Sequence, residues 1–181
     1  MGLGSFSIYD NAYPTATPDT STLARASAVA LENQVRTDAS ETGAFIARDG
    51  SIVIKKTGTP SNVSFSSAEL FGTQGTLFTH NHPDDGTFSR EDVVAAIKSQ
   101  LTELRVVGPK LRYSMSARGN WPPIAALRRA IVKAIPIAIQ ETSQLVKLGQ
   151  LHPQHIDHEV DHQLWCLVSR TLSLQYVREK S

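Results

Sequence analysis

The apolar positions of the chain change period several times, and those changes predict its elements. Leu23 to Val35 is an apolar stretch at helical spacing. Glu41-Thr42-Gly43-Ala44-Phe45-Ile46-Ala47 reads as a strand of small residues before an Asp49-Gly50 turn, and Ile52 to Lys56 returns from it as a hairpin. Val63-Ser64-Phe65 and Thr76 to His80 read as further strands. Val93, Val94, Ile97, Leu101 and Leu104 then line one face of a helix that opens at Ser89 and covers Asp92 to Leu104. Two more strands, Arg105 to Val107 and Leu111 to Met115, flank a Gly108-Pro109 turn. Beyond the turn Gly119 to Pro123 the pattern lengthens. Ile124 to Leu148 is amphipathic, with Pro136 inside it as an expected kink or break. A last helix is expected from about His155 to Thr171, and Leu172 to Val177 returns as a strand-like tail that adds to the sheet edge. This order predicts an α/β fold, a mixed sheet flanked by helices, with a helical C-terminal extension packed on the same core.

Composition bounds this picture without changing it. At 181 residues, 40% hydrophobic and 19% charged, the chain can bury one core of ordinary size. The expected organisation is a Ser-, Thr-, Pro- and Gly-rich lead over 1–22, reading as flexible or as a linker from something longer, then a main domain over 23–120 and the extension over 121–181. A net charge of +1 gives no sign of a nucleic-acid or membrane partner, and the pairs Lys55-Lys56 and Arg128-Arg129 read as solvated faces. Cys166 is the one cysteine, so an internal disulfide is excluded; it reads as a small core residue in a reducing, cytoplasmic setting. No secretory leader or membrane-spanning run is evident, and Phe6 argues against myristoylation at Gly2.

The chemistry concentrates in Phe78-Thr79-His80-Asn81-His82-Pro83-Asp84-Asp85-Gly86-Thr87-Phe88-Ser89-Arg90-Glu91-Asp92. Residues two apart on a strand share a face, so His80 and His82 can converge on one ion. Pro83 ends the strand, a loop follows, and Asp92 sits in the first turn of the next helix, close enough to fold back. Two histidines and an aspartate give Zn2+ three protein ligands and leave a fourth position open, as in catalytic zinc sites. Zinc lowers the pKa of its water from about 15.7 toward about 7, which suits amide hydrolysis. Ser89-x-x-Asp92 is also a plain helix cap, akin to a capping box. Capping accounts for Ser89 but not for two histidines on one strand face, and Ser89 can serve both ends.

At these residues the chain resembles the JAB/MPN superfamily, whose JAMM motif is His-x-His-Pro, a short loop, Ser-x-x-Asp and a distant upstream Glu. His80-Asn81-His82-Pro83 is most similar to its prokaryotic branch, RadC-like proteins and the JAB-like domains of phage and toxin-type proteins, over roughly residues 20–120. Six residues separate His82 from Ser89, against seven in the commoner form. The resemblance implies a cytidine-deaminase-like layering, a zinc held by His80, His82 and Asp92, an oxyanion held with help from Ser89, and an upstream glutamate that handles protons. It also implies cleavage of peptide or isopeptide bonds, for instance at a ubiquitin-like tail. Of the candidates Glu32, Glu41 and Glu69, Glu41 matches the family's placement at the start of a strand shortly before a turn. Glu32, in a helical stretch, and Glu69, in a Ser-rich connection, read as solvated. A noncatalytic binding module of RadC-like type is the other function class, and such a module has no need of the base.

A second metal motif competes. His158-Glu159-Val160-Asp161-His162 is a literal H-E-x-x-H, the zincin pattern, with His152 and His155 just upstream. Against it, Asp161 puts a charge inside the motif, and Trp165 and Val168 stand where a metzincin continues with Gly and His. A third ligand would have to be Glu179, expected in a frayed tail. The stretch reads instead as a helix with His155, Glu159, His162 and Gln163 on a polar face and Val160, Leu164, Leu167 and Val168 buried, its histidines a surface cluster.

Overall fold

The computed structural model describes residues 17–181, so Gly2, Phe6 and most of the expected lead lie outside it. The elements are α1 (Leu23–Val35), β1 (Thr42–Ile46), β2 (Ile52–Thr57), α2 (Ser67–Leu70), β3 (Leu77–Asn81), α3 (Arg90–Lys98), β4 (Glu103–Val107), β5 (Leu111–Ala117), α4 (Ile124–Lys147), a 3-10 turn (Pro153–His155), α5 (Ile156–Leu172) and β6 (Leu174–Lys180). They form an α/β protein with a six-stranded sheet in the order β2-β1-β3-β4-β5-β6. β3 and β4 are parallel and every other neighbouring pair is antiparallel. Parallel strands cannot be joined by a tight turn, so the chain crosses from β3 to β4 through α3. That crossover brings the end of β3 and the start of α3 together at one end of the sheet.

Strand alternation gives the two faces different contents. Phe45, Leu104, Val106, Tyr113 and Met115 meet Val93 and Ile97 of α3, Leu127 and Ile131 of α4, and Leu164, Trp165 and Val168 of α5 in one apolar core. On the other face, Ala28, Leu31 and Val35 of α1 cover Ala44, Ile46, Leu77 and Val107. Beside them lies a buried ionic network. Arg105 Nε is 2.8 Å from Glu32 Oε1, its Nη1 is 2.8 Å from Glu103 and its Nη2 is 3.2 Å from Glu179, while Arg112 Nε is 2.7 Å from Glu32 Oε2. Burying charges is tolerable only with such pairing.

This network corrects two expectations. Glu32 is not a solvated carboxylate but a buried anion between two arginines. Glu179 is not in a frayed tail: β6 runs to Lys180, pairs with β5 along its length, and buries Glu179 against Arg105. Residues 17–22 are tied to the fold as well. Asp19 pairs with Arg25 and accepts from Ser21 N, its own N–H reaches Glu179, and Thr22 caps α1.

Three further expectations change. Val63 to Phe65 forms no strand and no seventh member of the sheet; Phe65 packs instead on the rings of Phe45 and Phe78. The helix after the histidines stops at Lys98. Gln100 takes φ 48°, Leu101 N donates to Ala96 O and Gln100 N to Ile97 O, which is a Schellman end, and Leu104 falls in β4. Pro136 does not break α4, which runs from Ile124 to Lys147. Among the described residues no helix is long and apolar enough to cross a membrane.

Candidate metal centre

The pairing of β1 with β3 sets the first part of the site. Gly43 lies opposite His80, so the same register carried two residues on places Glu41 across from His82. Gly43 leaves room at that point: a Cβ there would stand 3.0 Å from side-chain atoms of both Phe78 and Val63, closer than such contacts usually come. Asn81, pointing to the other face between the two histidines, fixes the register from behind. It is fully buried, its Oδ1 accepts from Thr42 N at 2.6 Å, and its Nδ2 donates to Ser40 O at 3.2 Å. The backbone of Glu41 is pinned in turn, its N–H to Thr59 O and its carbonyl by Gly58 N. Asn81 went unnoticed in the sequence because its partners lie some forty residues away.

Four side chains then converge. His80 Nε2 and His82 Nε2 are 2.9 Å apart, and Asp92 Oδ2 is 3.6 Å from the first and 3.9 Å from the second. Glu41 Oε1 is 4.0 Å from His82 Nε2. Zinc–ligand bonds of about 2.0–2.2 Å in tetrahedral array hold donor atoms roughly 3.3–3.5 Å apart, so this trio has the span of a small divalent cation's ligand set. Among the described residues, His80, His82 and Asp92 are the group whose ligand atoms cluster in this way. His82 Nδ1 is 3.2 Å from Gly86 O. A carbonyl accepts, so Nδ1 carries the proton and Nε2 offers its lone pair to the centre.

The loop between ligands has its own anchors. Asp85 takes φ 67° and its Oδ1 accepts from Lys110 N and Leu111 N at 2.9 and 3.1 Å. It sits so close to Gly108 that a Cβ there would fall 2.1 Å from Asp85 Oδ1. At the far end Ser89 caps α3 in a full capping box. Its hydroxyl donates to Asp92 Oδ2 at 2.7 Å and accepts from Asp92 N at 3.1 Å. The single O–H donor of Ser89 is therefore given to the Asp92 carboxylate.

Electrostatics separate the four groups. Burial works against protonation of His80, but the Asp92 carboxylate, helped by Glu41, outweighs it and raises its pKa. Burial and the neighbouring His80 push His82 down to about 4. Asp92 is held below the usual carboxylate range because His80 and the Ser89 hydroxyl overcome its burial. Glu41 is raised, chiefly by burial and then by Asp92 and Asp84 against the opposing pull of His80. These groups line one cleft of about 550 Å³ with Pro60, Val63, Phe78 and Ser89.

The H-E-x-x-H stretch is placed differently from expectation. Glu159 and His162 do not face solvent; they are buried between α5 and β6, while Val160 and Leu167 are only half-buried. Glu159 Oε2 is 2.9 Å from Arg178 Nη1, and its other oxygen accepts from Gln163 at 2.7 Å. His162 Nδ1 is 3.0 Å from Tyr176 OH, and its Nε2 is 3.6 Å from Cys166 Sγ. The helix is turned because Arg178 and Tyr176 of β6 supply partners that a local pattern cannot show. Cys166 is partly exposed rather than a core residue. No family model, curated protein or solved structure matches this chain.

Proposed function

We propose that the chain is a zinc-dependent hydrolase of peptide or isopeptide bonds, built on the JAMM arrangement of the JAB/MPN superfamily. The observation that carries this reading is the convergence of His80 Nε2, His82 Nε2 and Asp92 Oδ2, with the Glu41 carboxylate 4.0 Å from His82, inside one cleft. His80, His82 and Asp92 would hold the metal. Bound Zn2+ supplies Lewis acidity, which polarises a carbonyl and makes water a usable nucleophile at neutral pH.

Glu41 takes a proton from the attacking water and delivers it to the leaving amine. Its burial and raised pKa suit both halves of that exchange. Ser89 holds the Asp92 carboxylate in place through its hydroxyl and backbone N–H. Its expected part in binding an oxyanion requires that hydroxyl to turn away from Asp92 as the substrate arrives. Val63 and Phe78, whose ring stacks on that of His80, give the cleft an apolar part that suits an extended peptide or a ubiquitin-like tail.

The test is Glu41→Gln, assayed on a library of peptide and isopeptide-linked tails. It should keep the zinc and the fold and lower the cleavage rate by about 10²–10⁴. Cleavage at the parent rate would remove Glu41 from the mechanism. A parent chain that binds zinc and cleaves nothing in the library would support a noncatalytic module in its place.

A further inference from the structure

The loop from His82 to Ser89 carries the ligand geometry, and three of its successive residues are held from outside the loop or hold a ligand. Gly86 offers its carbonyl to His82 Nδ1. The hydroxyl of Thr87, a buried residue, is 3.2 Å from Tyr176 OH of β6. The carbonyl of Phe88 accepts from Trp165 Nε1 of α5 at 2.9 Å. The Tyr176 phenol also meets His162 Nδ1 at 3.0 Å, and its ring lies against those of His162, Tyr113 and Phe88 with centroids 5.5, 6.3 and 6.2 Å away. The apolar packing fixes the ring and the two hydrogen bonds fix its oxygen. A path of direct contacts therefore runs from the second histidine of the H-E-x-x-H motif, through Tyr176 and Thr87, to the residue beside the carbonyl that orients His82.

We propose that Tyr176 is a positioning residue for the metal centre: through Thr87 it holds the Gly86 carbonyl where that carbonyl fixes the ring and tautomer of His82, and His162 orients the phenol. This rests on the reading of His82 as a ligand. It gives the C-terminal extension a part in the site, since Trp165 and Tyr176 both belong to it and fasten adjacent residues of the ligand loop. It also assigns His162 a place in the path as an anchor rather than a ligand.

Tyr176→Phe removes one oxygen and keeps the ring. Two readouts decide the matter. In metal-free protein, long-range proton–nitrogen spectra of the imidazoles should show His82 protonated at Nδ1 in the parent chain and a mixture of tautomers in the variant. In chelator competition, zinc should bind about 10–100-fold more weakly, as expected when the outer partner of a ligating histidine is disturbed. Thr87→Val should do the same from the other side, and it carries the test if Tyr176→Phe fails to fold. The double variant should be little worse than either single one, because both remove the same contact; general loosening of the fold would add. An unchanged His82 tautomer with zinc affinity within about twofold of the parent in both single variants would overturn the proposal. A parent chain that takes up no zinc would sink the hydrolase reading and, with it, the metal-centre role of Tyr176, whereas a zinc-binding parent whose two variants keep tautomer and affinity would sink the positioning role alone.

Discussion

His80 and His82 stand two residues apart at the end of a strand, His158 and His162 four apart on a helix, and either spacing puts two imidazoles on one face. The pairs end in opposite states. Both Nε2 atoms of the strand pair face one cleft, an aspartate joins them from the next helix, and a glutamate stands behind. In the helix pair His162 is engaged by Tyr176 and Cys166, while the motif's glutamate is engaged by Arg178 and Gln163. Spacing brings ligands within reach of each other. Whether they become a site depends on what the rest of the chain has already bonded to them.

The sharpest way to break this contrast is to change the glutamate of the helix motif. Glu159→Gln removes the carboxylate that the buried Arg178 bonds, and breaking a buried ion pair from one side costs about 3–5 kcal/mol. Thermal unfolding should show that loss, with zinc uptake unchanged. A Glu159→Gln chain that loses no stability would show that Arg178 does not hold the carboxylate in the fold, and would leave Glu159 free for the base role of the zincin reading.

A smaller effect is expected behind the strand pair. Gly108→Ala sets a methyl against Asp85 and forces the ligand loop to shift, which should cost about 1–3 kcal/mol as overpacking does. Zinc affinity should fall with it, measured by chelator competition. Lost stability with full zinc affinity would show that the Asp85 clamp does not reach the ligands.

The most gradual expectation concerns pH. Burial, with Arg178 nearby, pushes His162 down to about 3, below its ordinary value near 6.5. Between those values the unfolded chain binds the extra proton, so this residue's contribution to stability is present above about pH 6.5 and is lost as pH falls toward 3. The slope from His162 alone is about 1.4 kcal/mol per pH unit. Denaturant unfolding across that range should steepen accordingly in the parent, and His162→Gln should flatten the dependence by one proton. Equal slopes would mean that His162 is not held neutral by the fold.

Much of the fold was legible because its signals are local. The helix from Leu23 to Val35, the hairpin at Asp49-Gly50 and the strands around Gly108-Pro109 follow from apolar period and turn residues. The addition of the tail to the sheet edge followed from its strand-like composition. What stayed hidden depends on partners far along the chain. Glu32 looks solvated until Arg105 and Arg112 arrive from β4 and β5, and Glu159 until β6 brings Arg178. The convergence of His80, His82 and Asp92 was readable because all three lie within one crossover from strand to helix. Glu41 needed more: its place opposite His82 depends on the β1–β3 register, which Asn81 and Gly43 help to set. The end of α3 was misread because Gln100 closes a helix whose apolar pattern continues into Leu101 and Leu104.

The central claim is that the strand pair, and not the helix pair, makes the metal site. Elemental analysis of protein stripped with a chelator and re-exposed to zinc tests it directly. The parent chain should hold one equivalent, and so should His158→Ala with His162→Ala, while His80→Ala with His82→Ala should hold none. One equivalent retained by the strand double variant and lost by the helix double variant would contradict the account.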